Sequence, residues 1–288
     1  MRSFGKNIPA YFLIVLAVSC VIIWYAVFYF ALHRDFAITF FDVGQGDSIW
    51  IETAEGHQIL VDGGPGDRVL AKLGREMPFW DRSIDGIIST HPDQDHIAGL
   101  LPVLEKYDVG FVLWTGVKGT NAEYREWMRL IEDGRVRNLP ARRGARLGLG
   151  RAVTLEILAP FADLRGASVS KTNNTSVVAM LRHGRTSALL TGDIERAMEY
   201  RLVFEDGAGL DADILKVGHH GSKTSSSAEF LAAVSPEVAV IQVGRRNRYG
   251  HPTAEVLDRL SSIGAATLRT DTDSDVRFVS DGVHWQRR

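Results

Sequence analysis

The feature that most constrains this chain is a short run of metal-ligand side chains placed directly after an apolar stretch. Two imidazoles and two carboxylates fall within six consecutive positions, at His91, Asp93, Asp95 and His96, and the apolar run Gly86-Ile87-Ile88-Ser89 precedes them. Neutral imidazole together with carboxylate suits Zn, Mn or Fe, and without a cation the carboxylates would repel one another. The alternative is a polar loop with solvated histidines, in which Asp93 or Asp95 caps the helix that follows.

Three further histidines and an aspartate occupy similar places later in the chain. His219, His220 and His251 lie in short polar turns after apolar, strand-like runs, and Asp193 does so in Thr191-Gly192-Asp193. In α/β folds, ligands that are separated in sequence are gathered at one edge of a sheet. The sequence therefore predicts one composite site built from several strand ends.

The rest of the pattern predicts an α/β fold. Short β-type runs dominate from Phe36, helical stretches alternate with them further along, and a final hairpin over residues 276–280 and 283–286 turns on Asp281-Gly282. Each of two β-then-α halves ends in candidate ligands, and no linker-like composition separates the halves. We therefore expect one domain over residues 35–288.

The N-terminal segment differs from the rest in composition. Residues 8–32 contain no charged side chain, and an apolar stretch of this length is enough to cross a bilayer core. We expect residues 1–34 to form a cytoplasmic stub and a single transmembrane anchor. Arg2 and Lys6 precede the span, so the positive-inside rule favours a body on the extracytoplasmic side of the cell membrane. A cleaved signal peptide, or a lipoprotein-type cut before Cys20, is the alternative.

Charge limits the partners less than the motifs do. The formal net charge is −2, with 45% hydrophobic and 24% charged residues, which is ordinary globular material and not a globally basic nucleic-acid binder. The segment from Arg135 to Arg151 is the most basic part of the body, and it fits either a phosphate-binding rim or a solvated loop with charged edge strands. The sequence contains no Gly-x-x-x-x-Gly-Lys-Ser/Thr loop, so we expect no use of ATP.

Taken in order, the motifs resemble those of a metallo-β-lactamase-fold hydrolase, whose signature is H-x-H-x-D-H followed by further His and Asp ligands on later loops. More narrowly, the chain from about Phe36 onward is similar to the C-terminal hydrolase domain of ComEC-type DNA-uptake (competence) proteins. The motifs that carry this resemblance are Asp42-Val43-Gly44-Gln45-Gly46-Asp47, Asp62-Gly63-Gly64, His91-Pro92-Asp93-Gln94-Asp95-His96, Thr191-Gly192-Asp193, His219-His220-Gly221-Ser222 and Tyr249-Gly250-His251-Pro252. The resemblance implies an αββα sandwich of two β-sheets flanked by helices.

The sequence departs from the broad family pattern in two places. Asp93 replaces the second histidine, and Asn173-Asn174-Thr175 occupies the region where a histidine is expected before the Thr-Gly-Asp turn. Fewer imidazoles and more oxygen ligands shift the preference from Zn toward Mn or a similar harder ion. The resemblance implies two divalent metal ions, Zn or Mn.

The resemblance also implies a role for each candidate residue. The residues expected to hold the two metals are His91, Asp93 and Asp193 for one, and Asp95, His96 and His219 for the other, with Asp193 able to bridge. Asp95 is also expected to orient the nucleophilic water. Two histidines, His220 and His251, are expected to complete a ligand set or to donate to reacting oxygens. Three aspartates are expected to orient the ligand histidines: Asp42, Asp47 and Asp62.

The function implied is that of a membrane-anchored, metal-dependent phosphodiesterase or nuclease that acts on DNA by a metal-activated hydroxide. Two alternatives stay open: a hydrolase of the same fold acting on a small nucleotide, lipid headgroup or other ester, and a non-catalytic module that tethers nucleic acid. The ComEC-type proteins carry a multi-helix channel, whereas one span is predicted here. The partners consistent with the resemblance are thus DNA or another phosphodiester, the membrane through residues 8–32, and a separate channel protein.

Overall fold

The computed structural model describes residues 8–32, 35–134 and 136–288 of the chain. Its first helix, α1, is Ile8–Leu32. Side chains of this helix are described for residues 10–25 and 27. Within the described residues, no helix is both long and apolar enough to cross a membrane. The single-pass anchor expected over residues 8–32 is therefore not confirmed, and the stub expected at residues 1–7 lies outside the described residues.

The strands are β1 (Phe36–Phe40), β2 (Ile49–Glu52), β3 (Gln58–Val61), β4 (Ser83–Ser89), β5 (Asp108–Trp114), β6 (Arg137–Pro140), β7 (Arg146–Gly148), β8 (Val153–Ala159), β9 (Val178–His183), β10 (Thr186–Leu190), β11 (Ile214–Lys216), β12 (Val238–Ile241), β13 (Ala266–Arg269), β14 (Val276–Ser280) and β15 (Trp285–Arg287). The helices after α1 are α2 (Arg68–Glu76), α3 (Gln94–Ile97), α4 (Leu100–Lys106), α5 (Ala122–Glu132), α6 (Arg196–Asp206), α7 (Ala228–Val234), α8 (Ala254–Ser262) and α9 (Thr270–Asp273).

The strands form two sheets that share one core. The first sheet has the order β15-β14-β1-β2-β3-β4-β5-β6, and the second has the order β13-β12-β11-β10-β9-β8-β7. Side chains alternate between the two faces of a strand. Ile49 and Ile51 of β2 accordingly join the core shared with β8 and β9 of the other sheet, through residues such as Leu155 and Leu181.

Each sheet turns its other face toward helices. Trp50 of β2 packs with Leu73 of α2 and Trp127 of α5 in a second core, and Leu215 of β11 packs with Phe230 of α7 in a third. Two sheets with helices on both outer faces are the expected αββα sandwich, so this prediction is confirmed.

The polar motifs follow the ends of parallel strands. Strands β3 to β6 pair in parallel in the first sheet, and β10 to β13 do so in the second. Parallel neighbours place their carboxyl ends at the same edge of a sheet. The turns after β3 and β4 carry Asp62 and His91, and the turns after β10 and β11 carry Asp193 and His220.

The basic middle segment forms sheet edges. Strand β6 closes one end of the first sheet and β7 closes one end of the second. Exposed arginines there have carboxylate partners: Arg142 lies 3.6 Å from Asp163 and Arg146 lies 3.0 Å from Glu156. Charged side chains on edge strands oppose edge-to-edge association, so this segment matches the edge-strand interpretation and not the phosphate rim.

Candidate metal centre

The turn between β4 and α3 supplies the first group of polar side chains. His91 and His96 are both buried, at 2% and 0% exposure. The Nδ1 atom of His96 lies 2.7 Å from Oδ2 of Asp62, and Oδ1 of Asp62 accepts the Thr90 N–H at 2.8 Å. Because Nδ1 is held by Asp62, the Nε2 atom of His96 points to the opposite side of the ring, into the site.

Asp62 takes an unusual backbone conformation to make these contacts. Its φ is +57° and its side chain is fully buried. Aspartate tolerates this left-handed region better than most residues, since its short side chain forms local hydrogen bonds. Asp62 thus holds the His96 ring through Nδ1, and its role in orienting a metal ligand stays a prediction.

Asp193, after β10, links the two sheets within the site. Its Oδ2 atom lies 3.3 Å from Nε2 of His96 and 3.2 Å from Nε2 of His220. Its backbone N–H donates to the Ser176 hydroxyl at 3.1 Å. Burial would raise the pKa of Asp193, but His220, His96 and Lys216 hold it well below the usual value, so the carboxylate is ionised.

The two adjacent histidines after β11 point in different directions. Both lie in the left-handed region, with φ of 48° for His219 and 53° for His220. His220 points inward, with Nε2 at 3.3 Å from Oδ2 of Asp95. His219 faces the rim, where Nε2 contacts the Asn173 amide at 3.2 Å and the ring centroid lies 5.7 Å from that of His251. The structure thus places His220, and not His219, in the position expected for the ligand.

Three buried ring nitrogens face the carboxylates in a way that fits a bound cation. In the described part of the chain, the Nε2 atoms of His91, His96 and His220 are buried and make no hydrogen bond of good geometry, although those of His96 and His220 lie 3.2–3.3 Å from carboxylate oxygens. Buried polar atoms are nearly always well paired, so donors gathered in this way suit a cation between them. Ligand atoms of two triads, His91–His96–Asp193 and Asp95–His96–His220, lie within 4.8 Å of one another.

Lys216 is a fully buried lysine on β11 that the sequence pattern does not predict as a residue of the site. Its Nζ atom contacts the Asp47 carboxylate, lies 3.3 Å from Oδ1 of Asp193 and donates to the Gly192 carbonyl at 2.8 Å. Burial alone would lower the pKa of Lys216, but Asp47 and Asp193 raise it above the usual value. The only signal in the sequence is one cation within the apolar run Ile214-Leu215-Lys216-Val217.

The other candidate residues occupy different depths. Asp93 lies at the opening, with Oδ2 3.7 Å from Nε2 of His91 and its side chain 38% exposed. Asp47 is buried against Lys216 and lies 3.3 Å from Nδ1 of His220. Asp42 accepts the N–H of Gly44 within its own turn, at 3.2 Å. His251 lies at the rim, where burial, His219 and His220 lower its pKa to about 4.

Solved structures share the fold of this chain. The diiron β-hydroxylase CmlA of Streptomyces venezuelae aligns with a TM-score of 0.53 and 17% identity, covering 88% of this chain and 55% of CmlA. Zn(2+)-bound PqqB of Methylobacterium extorquens aligns with a TM-score of 0.50 and 12% identity, covering 81% of this chain and 97% of PqqB. At these identities the likeness concerns the fold alone.

Competence proteins are similar in sequence. ComE operon protein 3 of Bacillus subtilis is 30% identical over 281 residues, 91% of this chain and 35% of that protein. Competence protein ComA of Neisseria gonorrhoeae is 32% identical over 250 residues, 85% of this chain and 32% of that protein. The chain thus spans about a third of the length of these relatives, and the resemblance to ComEC-type proteins is confirmed.

The family model named Metallo-beta-lactamase superfamily matches residues 41–245. This range is well over half of the chain, and it contains the turns that carry His91, His96, Asp193 and His220. The chain belongs to the metallo-beta-lactamase superfamily.

Proposed function

We propose that this chain is a metal-dependent phosphodiesterase that hydrolyses DNA. The observation that carries the proposal is the convergence of three buried imidazole Nε2 atoms with the Asp95 and Asp193 carboxylates. Two divalent cations held there, Mn or Zn, would activate water and neutralise charge on the attacking and leaving oxygens of a phosphodiester. The similarity to competence proteins supports DNA as the substrate, and a channel-forming partner stays a prediction from the sequence.

The ligand residues we propose come from both sheets. The inward set consists of His91, Asp95, His96, Asp193 and His220, with Asp93 at the opening. In this assignment His220 takes the place that the sequence pattern gives to His219. Asp93 adds an oxygen donor on the solvent side, close to His91. A set of three imidazoles and three carboxylates offers nitrogen donors that suit Zn and oxygen donors that suit Mn.

Three residues are proposed to act on the water or the substrate. Burial would raise the pKa of Asp95, but His220 and His96 lower it, so Asp95 is an ionised carboxylate able to orient the nucleophilic water. Burial lowers the pKa of both His219 and His251. As neutral imidazoles at the rim, they can each donate one N–H to a phosphate oxygen or a leaving group.

The test uses the full chain, stripped of metal and then supplied with Mn or Zn. We expect metal-dependent turnover of both bis(p-nitrophenyl) phosphate and single-stranded DNA, and its loss in Asp193→Asn. Asp258→Asn is the matched control, because Asp258 is exposed on α8. Metal binding without hydrolysis of either substrate would overturn the proposed hydrolase activity. Turnover of the small ester alone would keep the hydrolase and exclude DNA.

A further inference from the structure

The loop after β12 borders the candidate metal centre and carries three exposed arginines, Arg245, Arg246 and Arg248. This loop, residues 244–251, is here called the arginine loop; its sequence is Gly-Arg-Arg-Asn-Arg-Tyr-Gly-His. A cleft of about 450 Å³ is lined by Asp93, Asp95, Arg246 and Tyr249. The loop is thus the wall of the opening through which a substrate would reach the metal ligands.

A second cleft adjoins the first at the arginine loop. It measures about 530 Å³, shares Gln45, Pro65, Arg246 and Asn247 with the first, and is also lined by Arg68, Arg245 and Asp67. Arginines therefore line both clefts, and the second cleft extends the basic surface beyond the metal ligands. Such an extended surface suits a polymer better than an isolated phosphodiester.

Side-chain hydrogen bonds hold the arginine loop in one conformation. The Asn247 amide donates to the carbonyls of Gly244 at 3.0 Å and His251 at 2.7 Å. The Asn247 carbonyl accepts the N–H groups of Tyr249 at 3.1 Å and His251 at 3.0 Å. Gln45 accepts the Gly244 N–H at 3.1 Å. A loop held in this way presents its arginines without a large further loss of conformational entropy on binding.

The arginines that line the two clefts are exposed and form no salt bridge. Within the described ranges, Arg68, Arg245, Arg246 and Arg248 have no carboxylate within salt-bridge distance. Three arginines of the basic middle segment differ from them, because Arg142, Arg143 and Arg146 form salt bridges. Unpaired guanidinium groups beside a phosphodiesterase site favour a phosphate backbone.

An aromatic platform accompanies this charge. The Tyr249 side chain is 55% exposed, and its ring lies nearly parallel to that of His251, at 25° and 5.9 Å between centroids. The Arg248 guanidinium lies 5.3 Å from the Tyr249 ring centroid. An exposed ring can stack on an unpaired base, whereas bases within a duplex are already stacked on their neighbours.

We propose that the arginine loop is a single-strand binding subsite, in which Arg245 and Arg246 contact phosphates next to the scissile one and Tyr249 stacks on an unpaired base. This inference rests on the proposed function, because it assigns the substrate class of the same site. It predicts a preference for single-stranded over duplex DNA, and for a polynucleotide over a small phosphodiester.

The test compares Arg245→Ala/Arg246→Ala and Tyr249→Ala with the full-length wild type. Binding of a fluorescein-labelled oligodeoxythymidine is measured at several salt concentrations in the Asp193→Asn background, so that cleavage does not interfere. The arginine variant is expected to lower the slope of log K against log salt by about 1.4, since each contact to a single strand contributes about 0.7. Tyr249→Ala is expected to weaken binding on the order of ten-fold.

A matched control removes two exposed arginines elsewhere, in Arg142→Ala/Arg146→Ala, and should leave the salt slope unchanged. With the Asp193 side chain intact, the arginine-loop variants should raise KM for the oligonucleotide by a larger factor than KM for bis(p-nitrophenyl) phosphate. An unchanged salt slope, or equal affinity for a duplex of the same length, would overturn the subsite. Absence of any hydrolysis by wild type would instead overturn the proposed function, and the binding result would still decide the subsite.

Discussion

At the scale of single residues, Lys216 is the position on which the charge balance of the site depends. Its ammonium group is fully buried between Asp47 and Asp193. Removing one partner from a buried ion pair leaves an uncompensated charge, which costs about 3–5 kcal/mol. We therefore expect Lys216→Met to lower the free energy of unfolding of the metal-free protein by about that amount, as measured by urea denaturation.

A double variant separates loss of charge balance from loss of packing. Loss of the Lys216 ammonium leaves the Asp47 and Asp193 carboxylates without their cation. In Asp47→Asn/Lys216→Met one of these two carboxylates is replaced by a neutral amide, so the double variant should be more stable than Lys216→Met alone. If both unfold at the same urea concentration, the Lys216 side chain contributes through its packing and not through its charge.

The same scale shows what the sequence could not decide about the site. Residue types and strand-end positions were enough to predict that His91, His96, Asp95 and Asp193 come together. They could not choose between His219 and His220, because both have positive φ in a turn and the alternation of side chains along a strand does not apply there. Lys216 was missed since a charged residue in an apolar strand gives no indication of its partners.

At the scale of elements, Glu199 of α6 joins two helices of the outer layer. Its carboxylate accepts the N–H groups of Ser226 and Ser227, at the start of α7. Burial raises the pKa of Glu199 above its ordinary value, against the lowering effect of those hydrogen bonds. The sequence pattern predicts helical stretches in this part of the chain, but a contact between residues far apart in sequence is not encoded in any local period.

The raised pKa of Glu199 determines in which direction its contribution to the free energy of unfolding changes with pH. Since the folded-state pKa lies above the unfolded value of roughly 4.3, the stability that Glu199 contributes is fully present below that pH. It is lost as pH rises through the folded-state pKa. Glu199→Gln removes this titration and leaves one backbone N–H facing an amide group, which costs about 1–3 kcal/mol.

Urea denaturation at several pH values checks this prediction. We expect wild type to be more stable than Glu199→Gln at about pH 4, and the difference to narrow toward about pH 7. If the difference in free energy of unfolding between wild type and Glu199→Gln widened with rising pH, the raised pKa of Glu199 would be contradicted. Glu229→Gln is the control, because Glu229 is an exposed carboxylate in the first turn of α7.

At the scale of the whole molecule, the candidate ligands connect the two sheets. His91, Asp95 and His96 follow the first sheet, whereas Asp193 and His220 follow the second. A cation bound by all of them would bridge both sheets, so metal binding should stabilise the entire fold. At about 100 times its Kd, a ligand adds roughly 2.7 kcal/mol. For a chain of this size that corresponds to about 5–10 °C in Tm.

Thermal unfolding of the full chain with and without Mn measures this coupling and also tests the assignment of the two adjacent histidines. We expect His219→Gln to keep the metal-dependent rise in Tm, because its ring faces Asn173 and His251 at the rim. His220→Gln should abolish the rise, since it removes an inward-facing Nε2 next to Asp95 and Asp193. The reverse result would return the ligand role to His219, and a rise in both variants would mean that the ion binds without either ring.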